Sequence, residues 1–303
     1  MNLFRFLGMA ILATAMLATA VEAAEKRDTI GKVLKDKSIT IANNLASPPW
    51  RFRDVNNNPA GISIDLNRMI AARLGVDLEM IDVEWAGLIP ALLTRKTDIL
   101  ATTMSTTFKR AQKVLFTKEK WYKAGVVAFV PPETSLQSWV DLNAEGKRVA
   151  VVAGTVSAEV AKEYFPKAEV KSYPLDVDTY QALKTKRADA ALNDSVQIKL
   201  LSSEYGFTTL KQPSELIKTD TWAFAVRPGD EYTWHYLNYF VEKSREYGHL
   251  EALLRYWVDG EQWKKDFLEK NDGVSAARQE LVNFLGIADY TPYVGENNRL
   301  TMR

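Results

Sequence analysis

The sequence carries one short pattern twice. Residues 91–98 read ALLTRKTD and residues 182–189 read ALKTKRAD. Each copy ends an apolar helical stretch, passes through a basic turn and leads into a short apolar run, which predicts a helix, a turn and a strand. If the match is not chance, it predicts two similar α/β lobes, each with polar groups at the same end of its sheet.

The chain around these copies alternates between predicted strands and helices. Residues 37–41 and 77–83 are typical of strands, and between them lies an apolar helical repeat that ends at Gly75. A further helix opens at residues 85–90, with Pro90 in its first turn. A last helix is predicted at residues 276–285. This alternation favours an α/β fold with mainly parallel sheets.

The first copy leads into a polar segment that predicts an anion site. Five hydroxyl residues occupy the six positions 102–107, after a predicted buried strand at Ile99–Ala101. A helix from Phe108 to Leu115, capped by Thr107, then places Arg110 in its first turn. Strand ends followed by free helix amides bind anions, and a guanidinium matches a carboxylate. The alternative is a polar loop with a surface arginine.

The second copy leads to an acidic strand end. Its predicted strand delivers Asn193 and Asp194, and an earlier strand at residues 148–152 ends in Gly154–Ser157, where Ser157 is expected to cap a helix. Asp194 either caps the next helix or faces a ligand. If it faces a ligand, a cation from the first lobe and an anion from the second complement a zwitterion.

The first 24 residues resemble a secretory signal. Arg5 precedes an apolar stretch at residues 6–17, and small residues follow, which predicts cleavage near Ala23 or Ala24 and export to the periplasm. A retained membrane anchor is the alternative. The chain has no cysteine, so it has neither disulfides nor thiolate metal sites, and no metal or cofactor is expected. A net charge of +1 gives no reason to expect nucleic acid as a partner.

Several segments together resemble a known family. They occur in order between about residues 35 and 260, and they are SPPWRF at 47–52, GISIDL at 61–66, WAGLIPAL at 85–92, MSTTFKRA at 104–111, GTVS at 154–157 and ADAALND at 188–194. This series resembles the extracellular solute-binding proteins of polar amino-acid ABC importers.

The resemblance implies a two-lobed periplasmic-binding-protein fold with a ligand cleft between the lobes. Two strands cross between the lobes, near residues 121–129 and 221–226. Residues 1–24 are then the signal peptide, 25–123 and 221–272 form lobe 1, 124–220 form lobe 2, and 273–303 are a C-terminal extension. The implied function is that of a monomer that captures an amino acid or close derivative and delivers it to a membrane permease.

The resemblance also implies roles for individual residues. Arg110, with Thr103 and Ser105 beside it, receives the ligand's α-carboxylate, and Asp194 receives its α-ammonium. The remaining predicted ligand-binding residues are Thr155 and Val156 through their amides, Trp85 as an aromatic wall, Asn44 and Ser47. Trp85 has the alternative of being a core residue.

Three positions depart from the family pattern. Ser47 stands where relatives carry an aromatic ring that stacks on the ligand, and Val156 stands where they offer a hydroxyl. Asn44 stands where several relatives have an acid that reads a cationic side chain. The sequence therefore does not favour a lysine-, arginine- or histidine-type ligand.

Two other classes of function stay open. Some relatives with this architecture are periplasmic dehydratases of cyclic carboxylic acids such as prephenate and arogenate, which need a proton donor or acceptor in the cleft. The only two histidines, His235 and His249, are remote in sequence from every cleft motif, and Asp194 is the only carboxylate expected there. A receptor sensor domain is disfavoured because no long apolar run follows the predicted lobes.

Overall fold

A computed structural model describes residues 28–270, 273–287 and 300–302. The predicted signal peptide lies outside these residues. The strands are β1 (Ser38–Asn43), β2 (Ala46–Ser47), β3 (Arg51–Arg53), β4 (Pro59–Ala60), β5 (Asp77–Asp82), β6 (Leu115–Phe116), β7 (Tyr122–Val130), β8 (Arg148–Val152), β9 (Glu169–Tyr173), β10 (Ala190–Asp194), β11 (Thr208–Thr209), β12 (Lys218–Trp222), β13 (Ala225–Val226) and β14 (Leu300–Met302). The α-helices are α1 (Thr29–Asp36), α2 (Ile62–Leu74), α3 (Leu88–Leu93), α4 (Phe108–Ala111), α5 (Val156–Tyr164), α6 (Asp176–Lys184), α7 (Gln197–Tyr205), α8 (Glu231–Glu246), α9 (His249–Leu254), α10 (Gln262–Leu268) and α11 (Ala276–Leu285).

Lobe 1 is built on a parallel sheet. Its strand order is β1–β5–β14, with Ile39 opposite Leu78. The predicted strand at Ile99–Ala101 is only an extended segment, which forms one parallel bridge to β1 and one antiparallel bridge to β13. Helix α2 packs its apolar face into the lobe 1 core and ends, as predicted, at Gly75, whose φ of 65° is the left-handed conformation that glycine adopts easily.

Lobe 2 is built on a mixed sheet. Strands β8, β9 and β10 are parallel, while β7 runs antiparallel to β10, β11 and β12. Side chains of β7 alternate between two apolar clusters, with Val126 and Ala128 on one face and Val127 and Phe129 on the other. Because both faces are covered, this strand reads as a continuous apolar run in the sequence.

The two predicted crossings pair with each other. The start of β7 lies antiparallel to the end of β12, with Tyr122 opposite Trp222. Trp50 packs against Trp222 with ring centroids 4.6 Å apart, and Trp121 packs against the same ring at 5.5 Å. The two crossing strands thus run side by side under an aromatic cluster, and the two-lobed fold with two hinge strands is confirmed.

Two local predictions were wrong. The helix that begins at Phe108 ends at Ala111, because the next residues turn and then pair through β6 with β13. The cap of α5 is Thr155, whose hydroxyl accepts the Ala158 N–H at 3.3 Å, so Ser157 lies inside the helix.

The predicted C-terminal helix is confirmed as α11. It is part of lobe 1, because the fully buried Arg278 donates to both carboxylate oxygens of Asp65 on α2, at 2.5 and 2.8 Å. Trp257 donates to the same carboxylate at 2.7 Å. Within the described residues, no helix is long and apolar enough to cross a membrane.

Candidate ligand-binding site

Residues from both lobes line a cavity of about 40 Å³ at the cleft. Eight of the nine predicted ligand-binding residues line it: Asn44, Ser47, Trp85, Thr103, Ser105, Thr155, Val156 and Asp194. The structure therefore brings together segments that are far apart in the sequence. The two histidines do not line this cavity, since His235 is exposed and His249 packs on Phe284, with ring centroids 5.1 Å apart.

Arg110 lies beside the cavity but does not line it. Its guanidinium donates to the Ser105 carbonyl at 3.0 Å and, across the cleft, to the Gly154 carbonyl at 3.0 Å. Burial lowers its pKa, while Glu159, Asp220 and Asp194 act in the opposite direction. The arginine thus joins the two lobes, and it has further N–H donors beyond these two.

The lobes also come into close contact beside this arginine. Gly154 has a φ of 74°, and a Cβ placed on it would lie 3.2 Å from the Cβ of Ala86 in lobe 1. The strand end in lobe 2 therefore requires a small residue with a left-handed backbone.

Arg51 is the cation that lines the cavity, and the sequence did not single it out. It is 6% exposed, and its guanidinium carbon lies 4.6 Å from the centroid of the Trp85 ring. Its Nε has no hydrogen-bond partner among the described residues. Burial lowers its pKa, opposed by the nearby charges of Asp176 and Asp194. Strand β3 has only three residues, so the sequence shows no alternation of apolar and polar residues from which the direction of this side chain could be predicted.

Trp85 combines the two predicted alternatives. It lines the cavity, and it also belongs to an apolar cluster with Leu88 and Leu92. Both Arg51 and Arg110 lie against its ring, the second at 5.8 Å from the centroid. An indole ring in this position holds guanidinium groups through its face.

Two carboxylates face the cavity, which corrects the expectation of one. Burial raises the pKa of Asp194 to about 8, helped by Asp220 and Asp176 and opposed by the two arginines. Asp176 begins α6, and burial also raises its pKa, although hydrogen bonds from Ser47 and Asn193 act against this. The Asn193 amide donates to Asp176 at 3.1 Å. A position that opens a helix reads as a capping acid in the sequence, so Asp176 was missed.

A second polar contact joins the lobes at Ser47, which lines the cavity. The Gln197 amide of α7 donates to the Ser47 hydroxyl at 3.1 Å, and both residues are buried. With the contact from Arg110 to Gly154, this closes the cavity between two interlobe hydrogen bonds.

The site is suited to binding a small molecule that carries both charges. Guanidinium groups come from lobe 1 and carboxylates from lobe 2, and bringing these carboxylates out of water is costly without a cation beside them. Among the described residues, no group of three or more His, Cys, Asp or Glu side chains could hold a metal ion.

Two lobes, two hinge strands and a charged cleft define a periplasmic-type solute-binding protein. Residues 39–260 match the bacterial extracellular solute-binding proteins, family 3, and the chain belongs to this family. Its members function in amino-acid transport by ABC importers.

Individual relatives are distant but cover most of the chain. The arginine-binding extracellular protein ArtP of Bacillus subtilis is 25% identical over 83% of this chain and 98% of its own length. The cyclohexadienyl dehydratase of Pseudomonas aeruginosa is 21% identical over 84% and 95%. The crystal structure of the P235GK mutant of ArgBP from T. maritima has a TM-score of 0.71 at 28% identity, covering 77% of this chain and all of that one.

Proposed function

We propose that the protein binds a zwitterionic amino acid, or a close derivative, between its lobes and delivers it to the permease of an ABC importer. The observation that carries this proposal is the opposite charge of the two cleft walls, with Arg51 from lobe 1 and Asp194 from lobe 2 on one cavity. A ligand that pairs with both holds the lobes together, so binding and closure are one event.

The ligand's carboxylate belongs at the guanidinium side of the cavity. Arg51 faces it directly, and Arg110 lies behind Ser105 with donors to spare. The hydroxyls of Thr103 and Ser105 and the Val156 N–H at the start of α5 complete a set of donors. The Thr155 N–H, predicted as a donor too, instead donates to the Val152 carbonyl at 3.3 Å. The ligand's ammonium then pairs with Asp194.

Delivery to a permease implies export, which the predicted signal peptide supplies. The exported protein is proposed to act as a periplasmic monomer. Intact-mass measurement of protein recovered from the periplasm tests this, since a chain cut near Ala23 or Ala24 is expected and a chain that keeps residues 1–17 indicates an anchor.

Catalysis is the second candidate, and one observation favours it. A carboxyl group with a pKa of about 8 is protonated at neutral pH, so Asp194 has the proton that a dehydratase needs. The dehydratase from Pseudomonas shows that such an activity exists among the relatives. We nevertheless propose binding without catalysis, because pairing with a ligand ammonium would ionise Asp194 and remove that proton.

A ligand screen distinguishes these functions. The exported protein is heated with amino acids, opines and dicarboxylates, and a bound ligand raises the melting temperature by mass action. We expect stabilisation by at least one compound with both an amino and a carboxylate group. Stabilisation only by acids without an amino group contradicts the proposal. Aromatic product formed from prephenate or arogenate would establish the enzyme instead.

A further inference from the structure

A second cavity adjoins the first at Asp176. It has a volume of about 120 Å³, against about 40 Å³ for the first. Asp176 lines both cavities, while Ala46 and Pro48 of lobe 1 close the second one against α6 and α7 of lobe 2. Ala46 and Pro48 flank Ser47, so the second cavity lies beside the position where the family pattern has an aromatic ring.

The second cavity offers several hydrogen-bond acceptors to a ligand. Gln197 is 1% exposed, and while its amide nitrogen donates to Ser47, its Oε1 has no partner among the described residues. A buried acceptor without a donor is costly. Asp176 and, at the outer side, Glu204 add two carboxylates.

Among the side chains that the structure describes, no lysine or arginine lines the second cavity. Lys184 lies 5.0 Å from the centroid of the Tyr205 ring but does not line the space. Arg51 lines the first cavity but not the second. The charged residues that the structure shows lining the second cavity are therefore both acidic, Asp176 and Glu204.

The remaining walls are apolar or aromatic. Val177, Leu200 and Leu201 line the cavity together with the rings of Tyr180 and Tyr205. Apolar walls with acceptors at the ends match a methylene chain that carries a donor group. An aliphatic chain without such a donor would leave Gln197 Oε1 unpaired.

We propose that this second cavity holds the side chain of the ligand, and that this side chain is long and ends in an ammonium or guanidinium group. The inference rests on the proposed function and specifies its substrate class. In this arrangement the α-amino acid group occupies the first cavity, and the side chain passes Ser47 and pairs with Asp176 and Gln197. Asp176 of lobe 2 then takes the role of the acid that several relatives have at the position of Asn44.

Calorimetry with matched ligands tests the proposal on the exported protein. L-Arginine is compared with L-citrulline, which has nearly the same shape without the charge, and L-lysine with L-norleucine. We expect at least one cationic ligand to bind tenfold or more tightly than its neutral partner. The substitution Asp176→Asn should reduce that ratio to less than threefold.

The control is Asp178→Asn, which removes the same charge from the same helical turn. Asp178 accepts the Leu175 N–H at 3.3 Å and lines neither cavity. It should leave the ratio within twofold of wild type. Ser47→Phe should weaken the long ligand selectively and spare alanine, because a ring at position 47 obstructs the passage.

The outcomes separate the two proposals. Equal binding of charged and neutral partners, or tighter binding of glutamate than of arginine and lysine, overturns the cationic side-chain site and leaves amino-acid binding intact. A preference unaffected by Asp176→Asn overturns the site as well. If no amino acid binds at all, the proposed function fails and this inference fails with it.

Discussion

The two helix–turn–strand copies have the same backbone arrangement, but the side chains that follow them carry opposite charges. Arg95 and Lys186 occupy equivalent places in the two turns, with φ of 61° and 56°. Asp98 exchanges two hydrogen bonds with the backbone of Thr40, both at 2.8 Å, and Asp189 does the same with Arg148. A match of eight residues thus corresponds to one repeated structure.

The two copies differ in the side chains that come after them. After the first copy the chain presents hydroxyls and a guanidinium, in Thr103, Ser105 and Arg110. After the second it presents an amide and a carboxylate, in Asn193 and Asp194. The repeated backbone therefore brings two strand ends to one cavity, while the side chains give the walls opposite charge.

The largest expected effect comes from removing one charge from one wall. Arg110→Ala and Asp194→Ala should each weaken amino-acid binding by about 2–5 kcal/mol. Asp194→Ala leaves the desolvated ligand ammonium without its partner, while Arg110→Ala removes both a guanidinium behind the carboxylate subsite and the hydrogen bond across the cleft to Gly154. Calorimetry, with circular dichroism as the folding control, measures this. Near wild-type affinity for Asp194→Ala would show that the ammonium binds elsewhere, and a ligand without an amino group would then be favoured.

Arg51→Ala tests the wall that the sequence did not reveal. If the ligand carboxylate pairs with Arg51, the loss should fall in the same range of about 2–5 kcal/mol. If Arg51 instead only offsets the charges of Asp176 and Asp194, affinity should change little, whereas the melting temperature of the free protein should fall. Calorimetry of ligand binding and the melting temperature of the free protein, measured on Arg51→Ala and wild type, decide between these roles.

The repeated turns should differ in what they contribute to stability. Asp98→Ala leaves the Thr40 N–H without its acceptor and should lower the free energy of unfolding by about 1–3 kcal/mol. The Asp189 side chain is 28% exposed, against 5% for Asp98, so water should compensate more and Asp189→Ala should cost less. Urea unfolding of both variants provides the comparison. Equal losses would indicate that exposure does not distinguish the two turns.

The acidic wall should make closure without ligand depend on pH. Asp194 has a pKa of about 8 in the closed form, and an exposed aspartate has one of about 4. Between these two pKa values the closed form binds a proton that the open form releases. The free energy of ligand-free closure should therefore be most favourable below pH 4. It should become less favourable by up to about 1.4 kcal/mol per pH unit as the pH rises from 4 to 8. Small-angle scattering at several pH values measures the closed fraction. Asp194→Asn should reduce the dependence to the part that comes from Asp176, whose pKa burial also raises, and an unchanged pH profile in that variant would assign it to other groups.

The smallest effect is expected where the two walls touch. Gly154→Ala places a methyl group 3.2 Å from Ala86 and forces alanine into a left-handed conformation, without touching a charge. It should weaken ligand binding by about 1 kcal/mol, the low end of what an overpacked contact costs, because the lobes must separate slightly to admit the methyl group. Gly146→Ala, also at positive φ but with open space around it, is the matched control and should leave affinity unchanged. Equal effects of the two substitutions would mean that interlobe contact is not the cause.

Local signals predicted most of the fold. Helix α2 with its terminal glycine, the strand at Arg148–Val152 and the helix at Ala276–Leu285 have the predicted bounds or nearly so, because periodicity and terminal residues act within a few positions. The helix at Phe108 failed for the complementary reason. Its sequence permits more turns, but pairing of Leu115 with Val226, distant in the chain, ends it early.

The sequence by itself determined the two α/β lobes and most of the predicted ligand-binding residues. Some of these residues follow recognisable strand ends, and the others were implied by the resemblance of their segments to the family. Only the tertiary structure decided which charges face the cavity. Arg51 and Asp176 lie in segments with weak local signals, and they line the same cavity because the lobes close on each other. Arg110, the clearest charge in the sequence, is drawn to the Gly154 carbonyl of the other lobe. Local sequence determines the helix, strand or turn that carries a charged side chain. Its hydrogen-bond and charge partners come from distant segments, and only folding brings these together.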